Sequence, residues 1–381
     1  MSAAAPALAG TEDHPHARMV LGAALASGAP SHAYLFHGPP GTGKRTAARA
    51  LAAELLAEGD RDPASVRRRV QSGAHPDLTW VRPTGAHVMR VDDVERPVIA
   101  AAAHTPFEAR RRVFVLERAD TMNDEVANRL LKTLEEPAAF VHLILLTDSL
   151  GRMLETVVSR CQLVRFDPLP PERIAATLER DGVPGARAAA CGRLALGNAS
   201  RARLLASDEG EALRGDVERL VRSVLEGAAP GLGEPEPWRP LLARAEAARA
   251  VAEAAVREAG VRRLELEPRG RERRALEREL DEAMKRDGRR ARTEVLELGL
   301  TLTALAFRDL ACLAEGADAA VLAVDRAPAL APLARGRDAP RLREALERCE
   351  ETRQSLELNV GEELALTALT IRLGRLVGPP S

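Results

Sequence analysis

Aromatic residues are scarce in this sequence, and basic residues are not in excess over acidic ones. Its 381 residues include two tryptophans, one tyrosine and six phenylalanines, and the formal net charge is -1. Proteins that hold single-stranded nucleic acid stack its bases on aromatic side chains, so a platform of that kind is excluded. Affinity for DNA comes mainly from Lys and Arg that neutralise phosphates, so a whole-surface attraction to DNA is excluded as well. Contact with DNA is therefore expected to be local or indirect, and the composition favours a protein that binds other proteins.

Cysteine is also sparse. The four cysteines are far apart in the sequence and form no CxxC pair, which argues against a zinc site or a disulfide framework. We therefore expect a reduced, cytoplasmic protein. No run of about 18 apolar residues occurs, so a membrane-spanning helix is not expected. Residues 1–10 are small and apolar without a basic stretch, and we interpret them as a loose tail rather than a signal peptide.

Short apolar runs alternate with helical patterns over the first ~165 residues. This alternation is typical of a parallel sheet covered by helices. Between the third and fourth runs, Ala127, Leu130, Leu131 and Leu134 recur at helical spacing and predict an amphipathic helix on the sheet. The five candidate strands are 33–38, 78–83, 113–117, 142–148 and 163–169.

Strand patterns stop after the turn-forming segment DPLPPE, and helical patterns continue to the end of the chain. Pro/Gly-rich breaks at 227–238 and 267–272 divide this helical part without adding strands. The predicted domains are an α/β domain over 1–166, a small helical lid over 167–205 and an all-helical domain over 206–381.

Basic residues crowd only between Arg262 and Arg292. This segment could contact phosphate or an acidic partner. Acidic residues are interleaved with the arginines, however, and Leu276, Leu280 and Met284 recur at i+4 spacing. The pattern therefore favours a solvated helix with one buried stripe.

A glycine-rich loop lies between the first candidate strand and an alanine-rich helix. In that context the pattern GxxxxGK is a phosphate cradle, because glycines let backbone N–H groups face the phosphates. Gly38, Gly41 and Gly43 supply the glycines, and Lys44 is placed to reach the terminal phosphates.

Two positions depart from what ATP hydrolysis requires. A Ser or Thr should follow the lysine to hold magnesium, but Arg45 stands there, and Thr46 is rotated by about 100° on the helix. The partner strand should end in Asp-Glu, and here it ends in Glu117-Arg118-Ala119-Asp120. Glu117 could still approach a metal, whereas Arg118 cannot act as a base. Either this strand only contributes to the hydrophobic core, or the two departures indicate a former ATPase that no longer hydrolyses ATP.

Several longer segments resemble the delta-prime and gamma/tau subunits of bacterial DNA polymerase III clamp loaders, which are AAA+ proteins. They are SHAYLFHGPPGTGK, AHPDL, RVFVLERADTMNDEVANRLLKTLEEP, HLILLTD and TVVSRCQLVRFDPL, in the family's order and spacing. The run ANRLLKTLEEP and the triplet Ser159-Arg160-Cys161 are the most specific. Residues 356–373 resemble the family's last collar helix with its leading Asn-Val, so the likeness covers nearly the whole chain.

The resemblance implies a P-loop AAA+ domain, a helical lid and a C-terminal collar through which five subunits join. It also implies partners, namely gamma/tau and delta subunits, a sliding clamp and, through the complex, primer-template DNA. In the family the arginine of the SRC triplet reaches a neighbour's ATP site, which assigns that role to Arg160. The alternative is an arginine paired locally at a strand end.

Other family features are altered or missing. The family's four-cysteine zinc module has no counterpart in residues 61–78, so zinc is expected to be absent. In motor subunits a lid arginine that senses the nucleotide follows a Gly-Ser pair. Here Arg201 follows Ser200, but the residue before Ser200 is an alanine and not a glycine. Thr147 occupies the place of a small polar residue that faces the nucleotide, although a strand-end role fits equally well.

The resemblance and the two departures together predict a delta-prime type subunit that does not hydrolyse ATP and supplies Arg160 to an active neighbour. Binding of ATP or ADP without hydrolysis is left open, because the three glycines and Lys44 are present. One rival is an active gamma/tau-like motor, which Arg45, Arg118 and the displaced Arg201 disfavour. The other is a free-standing AAA+ motor on nucleic acid, which would require intact metal and base residues.

Overall fold

The structure, a computed structural model, describes residues 8–84, 88–227, 236–266, 270–357 and 360–379. Three segments discussed above lie wholly or partly outside the described residues. They are most of the first Pro/Gly-rich break, residues 267–269 of the second, and Leu358 and Asn359 before the last helix. The chain divides into two compact units. The first is formed by residues up to 170 with 197–200, and the second by residues 171–196 with those from 201 onward.

The first unit contains a five-stranded sheet in which every pair of neighbours is parallel. The order β2-β3-β4-β1-β5 places the first strand between the fourth and the fifth. All five predicted strands are present, so the predicted α/β fold class with a five-stranded parallel sheet and flanking helices is confirmed. The strands are β1 Ala33–His37, β2 Leu78–Val81, β3 Arg112–Leu116, β4 Val141–Thr147 and β5 Gln162–Arg165.

Helices cover both faces of this sheet, and that is why its central strands β1, β3 and β4 are buried on both sides. Tyr34 and Phe36 of β1 face one layer of helices, whereas Leu35 faces the other. The first layer is α1 Pro15–Ala26, α2 Lys44–Ala57 and α3 Pro63–Ser72. The second is α4 Val91–Val94 with a π-helical turn Glu95–Ala100, α5 Asp124–Glu135 and α6 Glu155–Val158.

The amino-terminal segment is more ordered than the expected loose tail. Leu8 is buried among the residues that pack on α1 and α2, and Gly10 lies against the start of α2. The interpretation is therefore wrong for residues 8–10, because an apolar side chain and a glycine without a Cβ fit against the helix. Residues 1–7 lie outside the described residues.

The second unit is built from helices, and none of its described residues forms a strand. Within the predicted basic helix, Arg273, Lys285 and Arg290 pair with acidic residues four positions away. Leu276, Leu280 and Met284 are half-buried rather than buried, and Leu276 and Leu280 lie beside Gly260 of the preceding helix. The predicted helix is divided, because one helix ends at Leu266 and the next begins at Arg271. The helices are α7 Pro171–Arg180, α8 Gly185–Leu194, α9 Ala199–Ala206 (which starts within the first unit), α10 Asp208–Glu226, α11 Arg239–Leu266, α12 Arg271–Ala314, α13 Ala327–Ala334, α14 Ala339–Glu357 and α15 Glu362–Val377.

The structure thus agrees with a sheet domain followed by helices. Separate lid (167–205) and collar (206–381) domains stay a prediction. No helix in the described ranges combines the length and apolarity needed to cross a membrane.

Candidate functional site

The glycine-rich loop leaves the carboxyl end of β1, the edge at which open parallel sheets place their ligands. Gly38, Gly41 and Gly43 have φ values of 139°, 74° and 97°, which L side chains rarely adopt. Because of this backbone the chain turns sharply and α2 begins at Lys44. The loop therefore has glycine wherever a left-handed conformation is needed.

Lys44 is buried beneath the loop and fully engaged. Its Nζ donates to the carbonyl oxygens of Gly38, at 2.5 Å, and Pro39, at 2.6 Å. It also forms a 2.7 Å ion pair with Asp148, which follows β4 and is half exposed. Burial lowers the pKa of Lys44, and the bond to Asp148 acts in the opposite direction. The ammonium group is thus fixed under the cradle with a carboxylate beside it.

Two distant segments close around the loop. The Ala199 N–H donates to the Gly41 carbonyl at 3.2 Å. The Asn198 side chain packs so closely that a Cβ on Gly41 would lie 1.8 Å from its Oδ1. On the other side, the Gly10 carbonyl would lie 2.9 Å from a Cβ on Gly43. Glycine is therefore required at Gly41 and Gly43 for space as well as for backbone conformation.

The position expected to hold magnesium contains an ion pair between two side chains. Arg45 Nη2 donates to Glu117 Oε2. The other carboxylate oxygen, Oε1, accepts from Trp80 Nε1 at 2.6 Å and from Arg82 Nε at 3.2 Å. Arg49 stacks on the Trp80 ring, with its guanidinium carbon 4.6 Å from the ring centre. Both oxygens of Glu117 are therefore engaged by nitrogen donors.

These residues do not fit a magnesium ion, which requires oxygen ligands in near-octahedral geometry. Glu117 is buried and occupied, and Arg45 offers only donors. Thr46 is exposed, and its Cβ lies towards Gly10. The Thr42 hydroxyl is bonded to the Pro39 carbonyl at 2.9 Å. This arrangement therefore supports no catalytic step that depends on magnesium.

The remaining predicted residues of this edge lie just beyond β3 and β4. Arg118 adopts the left-handed region, with φ 53°, and its carbonyl accepts from the Thr121 backbone N–H and hydroxyl. Asp120 accepts from the buried Thr147 hydroxyl at 2.9 Å. The strand ends thus bring Asp120 and Thr147 together, whereas the position for the catalytic base carries an arginine.

Arg160 lies just after α6, and its guanidinium is held by the second layer of helices. It donates to the Thr156 carbonyl at 2.8 Å and to the Ser159 hydroxyl at 3.3 Å. Its other nitrogen forms a 2.6 Å ion pair with Glu135 at the end of α5. The side chain is still 35% exposed. Burial raises the pKa of the adjacent Cys161 thiol to about 12, so this thiol is protonated at neutral pH.

Arg201 belongs to the second unit. Burial lowers the pKa of Arg201, the charge of Arg353 on α14 lowers it further, and the charge of Glu297 on α12 acts in the opposite direction. Its role as a lid sensor stays a prediction. Among the described residues no three His, Cys, Asp or Glu side chains gather as metal ligands would. The absence of zinc also stays a prediction.

Known proteins resemble the first unit. A family model described as DNA polymerase III, delta subunit matches residues 13–170. Subunit delta' of DNA polymerase III from Bacillus subtilis (strain 168) is 38% identical over 148 residues, which cover 38% of this chain and 44% of the relative. Residues 13–170 are therefore similar to the delta-prime subunits of DNA polymerase III.

Similarity extends beyond this family. DNA polymerase III subunit gamma/tau of Mycobacterium tuberculosis H37Rv is 35% identical over 170 residues, 43% of this chain and 29% of the relative. A gamma subunit-related protein of Thermotoga maritima superposes over 91% of this chain and 95% of its own, at 15% identity and a TM-score of 0.45, too loosely to carry an argument. The alignments to the two curated relatives span less than half of either relative's length.

Five residues of the first unit were not anticipated from the sequence: Trp80, Arg82, Glu135, Asp148 and Asn198. Each contacts a residue that was anticipated. No local pattern in the sequence indicates these contacts, because only the tertiary structure brings the partners together.

Proposed function

We propose that this chain is a delta-prime type subunit of a DNA polymerase III clamp loader that does not hydrolyse ATP and provides Arg160 to the ATP site of a neighbouring subunit. On this proposal it works in the cytoplasm with gamma/tau and delta subunits, and the complex loads a sliding clamp onto primer-template DNA. One observation carries the proposal. The chain's own hydrolytic positions hold Arg45 and Arg118, whereas Arg160 is held in place and partly exposed.

The argument against hydrolysis by this chain follows from charge. Phosphoryl transfer needs a magnesium ion and a group that orients the attacking water. The Arg45–Glu117 pair leaves the carboxylate no free oxygen, and a guanidinium at Arg118 cannot accept a proton. This site therefore provides neither a place for the magnesium ion nor a group that orients the attacking water. The active gamma/tau-like motor is therefore disfavoured, despite the 35% identity to a gamma/tau subunit, and a free-standing motor is disfavoured for the same reason.

The argument for Arg160 follows from its contacts. A guanidinium stabilises charge on a transferred phosphoryl group best when it is positioned before the reaction. Three contacts to Thr156, Ser159 and Glu135 restrain the Arg160 side chain. Its exposed fraction leaves donors accessible to another subunit. An arginine with only a local role would be satisfied by these contacts, so the function has to be tested in the complex.

The test is reconstitution of the clamp-loader complex with Arg160→Ala in this subunit. Arginines that act across an interface contribute about 10³–10⁵ in rate at the site they serve. We expect that one site to lose this factor, so the bulk ATPase falls in part and clamp loading falls further. Size-exclusion chromatography establishes the stoichiometry, and DNA- and clamp-stimulated phosphate release gives the rate.

Arg165→Ala is the matched control, because Arg165 is also an exposed arginine in an ion pair, with Asp167 at 3.2 Å. It should leave both the ATPase and loading unchanged. Normal rates in a normally assembled Arg160→Ala complex would exclude the proposed role. Loss of assembly with unchanged turnover per complex would instead assign Arg160 to structure.

A further inference from the structure

A buried carboxylate surrounded by cations lies beside the phosphate loop. Glu117 is 3% exposed and accepts from Arg45, Arg82 and the Trp80 indole, so two positive charges meet one negative charge. Arg45 and Arg82 remain 53% and 56% exposed. The cluster therefore carries an excess of positive charge that reaches solvent next to Lys44.

The excess positive charge lies at the position where a P-loop ATPase binds magnesium. Arg45 directly follows Lys44 on α2, where a P-loop ATPase places the hydroxyl that binds magnesium. A bound divalent cation is often the largest local charge in a phosphate site. A guanidinium always carries its charge and presents several N–H donors that match phosphate oxygens. Arg45 can thus neutralise phosphate where a metal ion would, with Glu117 holding it in place.

We propose that this P-loop binds a nucleoside polyphosphate without a divalent cation, with the Arg45 guanidinium in the place of the magnesium ion. The three glycines of the loop hold the phosphates together with Lys44, which exchanges its bonds to the Gly38 and Pro39 carbonyls for phosphate oxygens. The Arg45–Glu117 pair replaces metal coordination. Chelated magnesium removes negative charge from the ligand, and the two positions that would supply its protein ligands hold Arg45 and a Glu117 whose oxygens are both engaged. Magnesium therefore does not strengthen binding. The proposal is independent of any role of Arg160 in a neighbouring subunit.

The experiment is calorimetric titration of the full chain with ATP, in EDTA and then in excess Mg²⁺. We expect binding in EDTA and an affinity about two- to tenfold weaker in Mg²⁺, because chelation lowers the charge attracted by the cluster. Any measurable gain in affinity on adding Mg²⁺ would overturn the proposal. No detectable binding of millimolar ATP in EDTA would also overturn it.

Variants separate the metal position from general charge. In the double variant Arg45→Ser with Glu117→Asp, which restores a hydroxyl and a shorter carboxylate, we expect Mg²⁺ to strengthen binding. Lys44→Ala should abolish binding in both buffers. Arg67→Ser is the matched control, because Arg67 is a similarly exposed arginine paired with Glu54 at 2.8 Å, and it should change neither affinity.

Thermal unfolding shows which variants fold. If the double variant does not fold, Arg45→Ser alone should weaken binding in EDTA by about tenfold or more, the effect of losing one charged hydrogen-bond partner. An unchanged affinity of a folded Arg45→Ser variant in EDTA would refute the role of Arg45.

Discussion

The altered ATP site differs from a hydrolysing one through two side chains that have become partners. Arg45 without Glu117 would leave a cation with no carboxylate, and Glu117 without Arg45 would still be bonded to Trp80 and Arg82. Because the two are coupled, their effects on stability should not add. Restoring a hydroxyl at Arg45 alone is therefore not enough to recreate a metal site. The carboxylate would remain occupied by the other donors.

Gly41 allows a direct test of how tightly the loop is packed. Gly41 and Gly73 have the same φ, 74°, but a Cβ on Gly73 would meet nothing within 4 Å, whereas one on Gly41 would collide with Asn198. We expect Gly73→Ala to cost about 1–2 kcal/mol of unfolding free energy for the left-handed backbone alone. Gly41→Ala should cost about 1–3 kcal/mol more because of overpacking.

Urea unfolding of the two variants measures this difference, and Asn198→Ala in the Gly41→Ala background should recover most of it. Equal losses for Gly41→Ala and Gly73→Ala would show that Asn198 does not pack on the loop.

At the scale of the elements, local patterns were sufficient for the sheet and for α5. Strands β1, β3 and β4 could be predicted because their apolar runs are buried on both faces. The edge strands β2 and β5 are less buried and end near Pro83 and Pro168, which lack an N–H for the ladder. Helix α1 was missed, because its alanines and small residues show no sharp helical period. The pairing of Arg45 with Glu117, 72 residues apart, depends on the order in which strands join the sheet. No local pattern specifies such contacts.

A single buried carboxylate in the AHPDL segment holds the loop that precedes β3. Asp77 is fully buried and accepts from the backbone N–H groups of Phe107, Glu108 and Ala109, at 2.6, 3.0 and 2.9 Å. It thereby ties the beginning of β2 to the loop that leads into β3. We expect Asp77→Ala to cost about 3–5 kcal/mol, because three charge-assisted bonds are lost and N–H groups are left without partners.

Equilibrium urea unfolding gives this cost. Asp62→Ala is the control, since Asp62 accepts a single backbone N–H at the exposed start of α3, from Ser65 at 3.0 Å, and should cost about 1 kcal/mol. A loss for Asp77→Ala no larger than that of the control would contradict the proposed role of the carboxylate.

The whole molecule distributes its titrating groups unevenly. All eight histidines lie between positions 14 and 142, and none lies in the sequence of the second unit. The second unit contains buried ion pairs instead, such as Arg214 with Asp325 at 2.6 Å. Arginine stays charged at any physiological pH. The two units should therefore respond differently to mild acid.

The expected response follows from four histidines of the first unit, His14, His37, His75 and His142. Burial is the main cause that lowers the pKa of each of them below its ordinary value of 6.5. Their neutral form is favoured in the fold, so the unfolded chain binds more protons below about pH 6.5 and stability falls as the pH falls. Each histidine contributes a slope of at most about 1.4 kcal/mol per pH unit to the free energy of unfolding.

Between pH 7.5 and 5.5 we expect the first unit to lose stability, while histidine titration leaves the stability of the second unit unchanged. Hydrogen exchange read peptide by peptide, corrected for the pH dependence of intrinsic exchange, distinguishes the units. Equal loss of protection in both, or a first unit that gains stability at pH 5.5, would show that burial of these rings does not control the acid response.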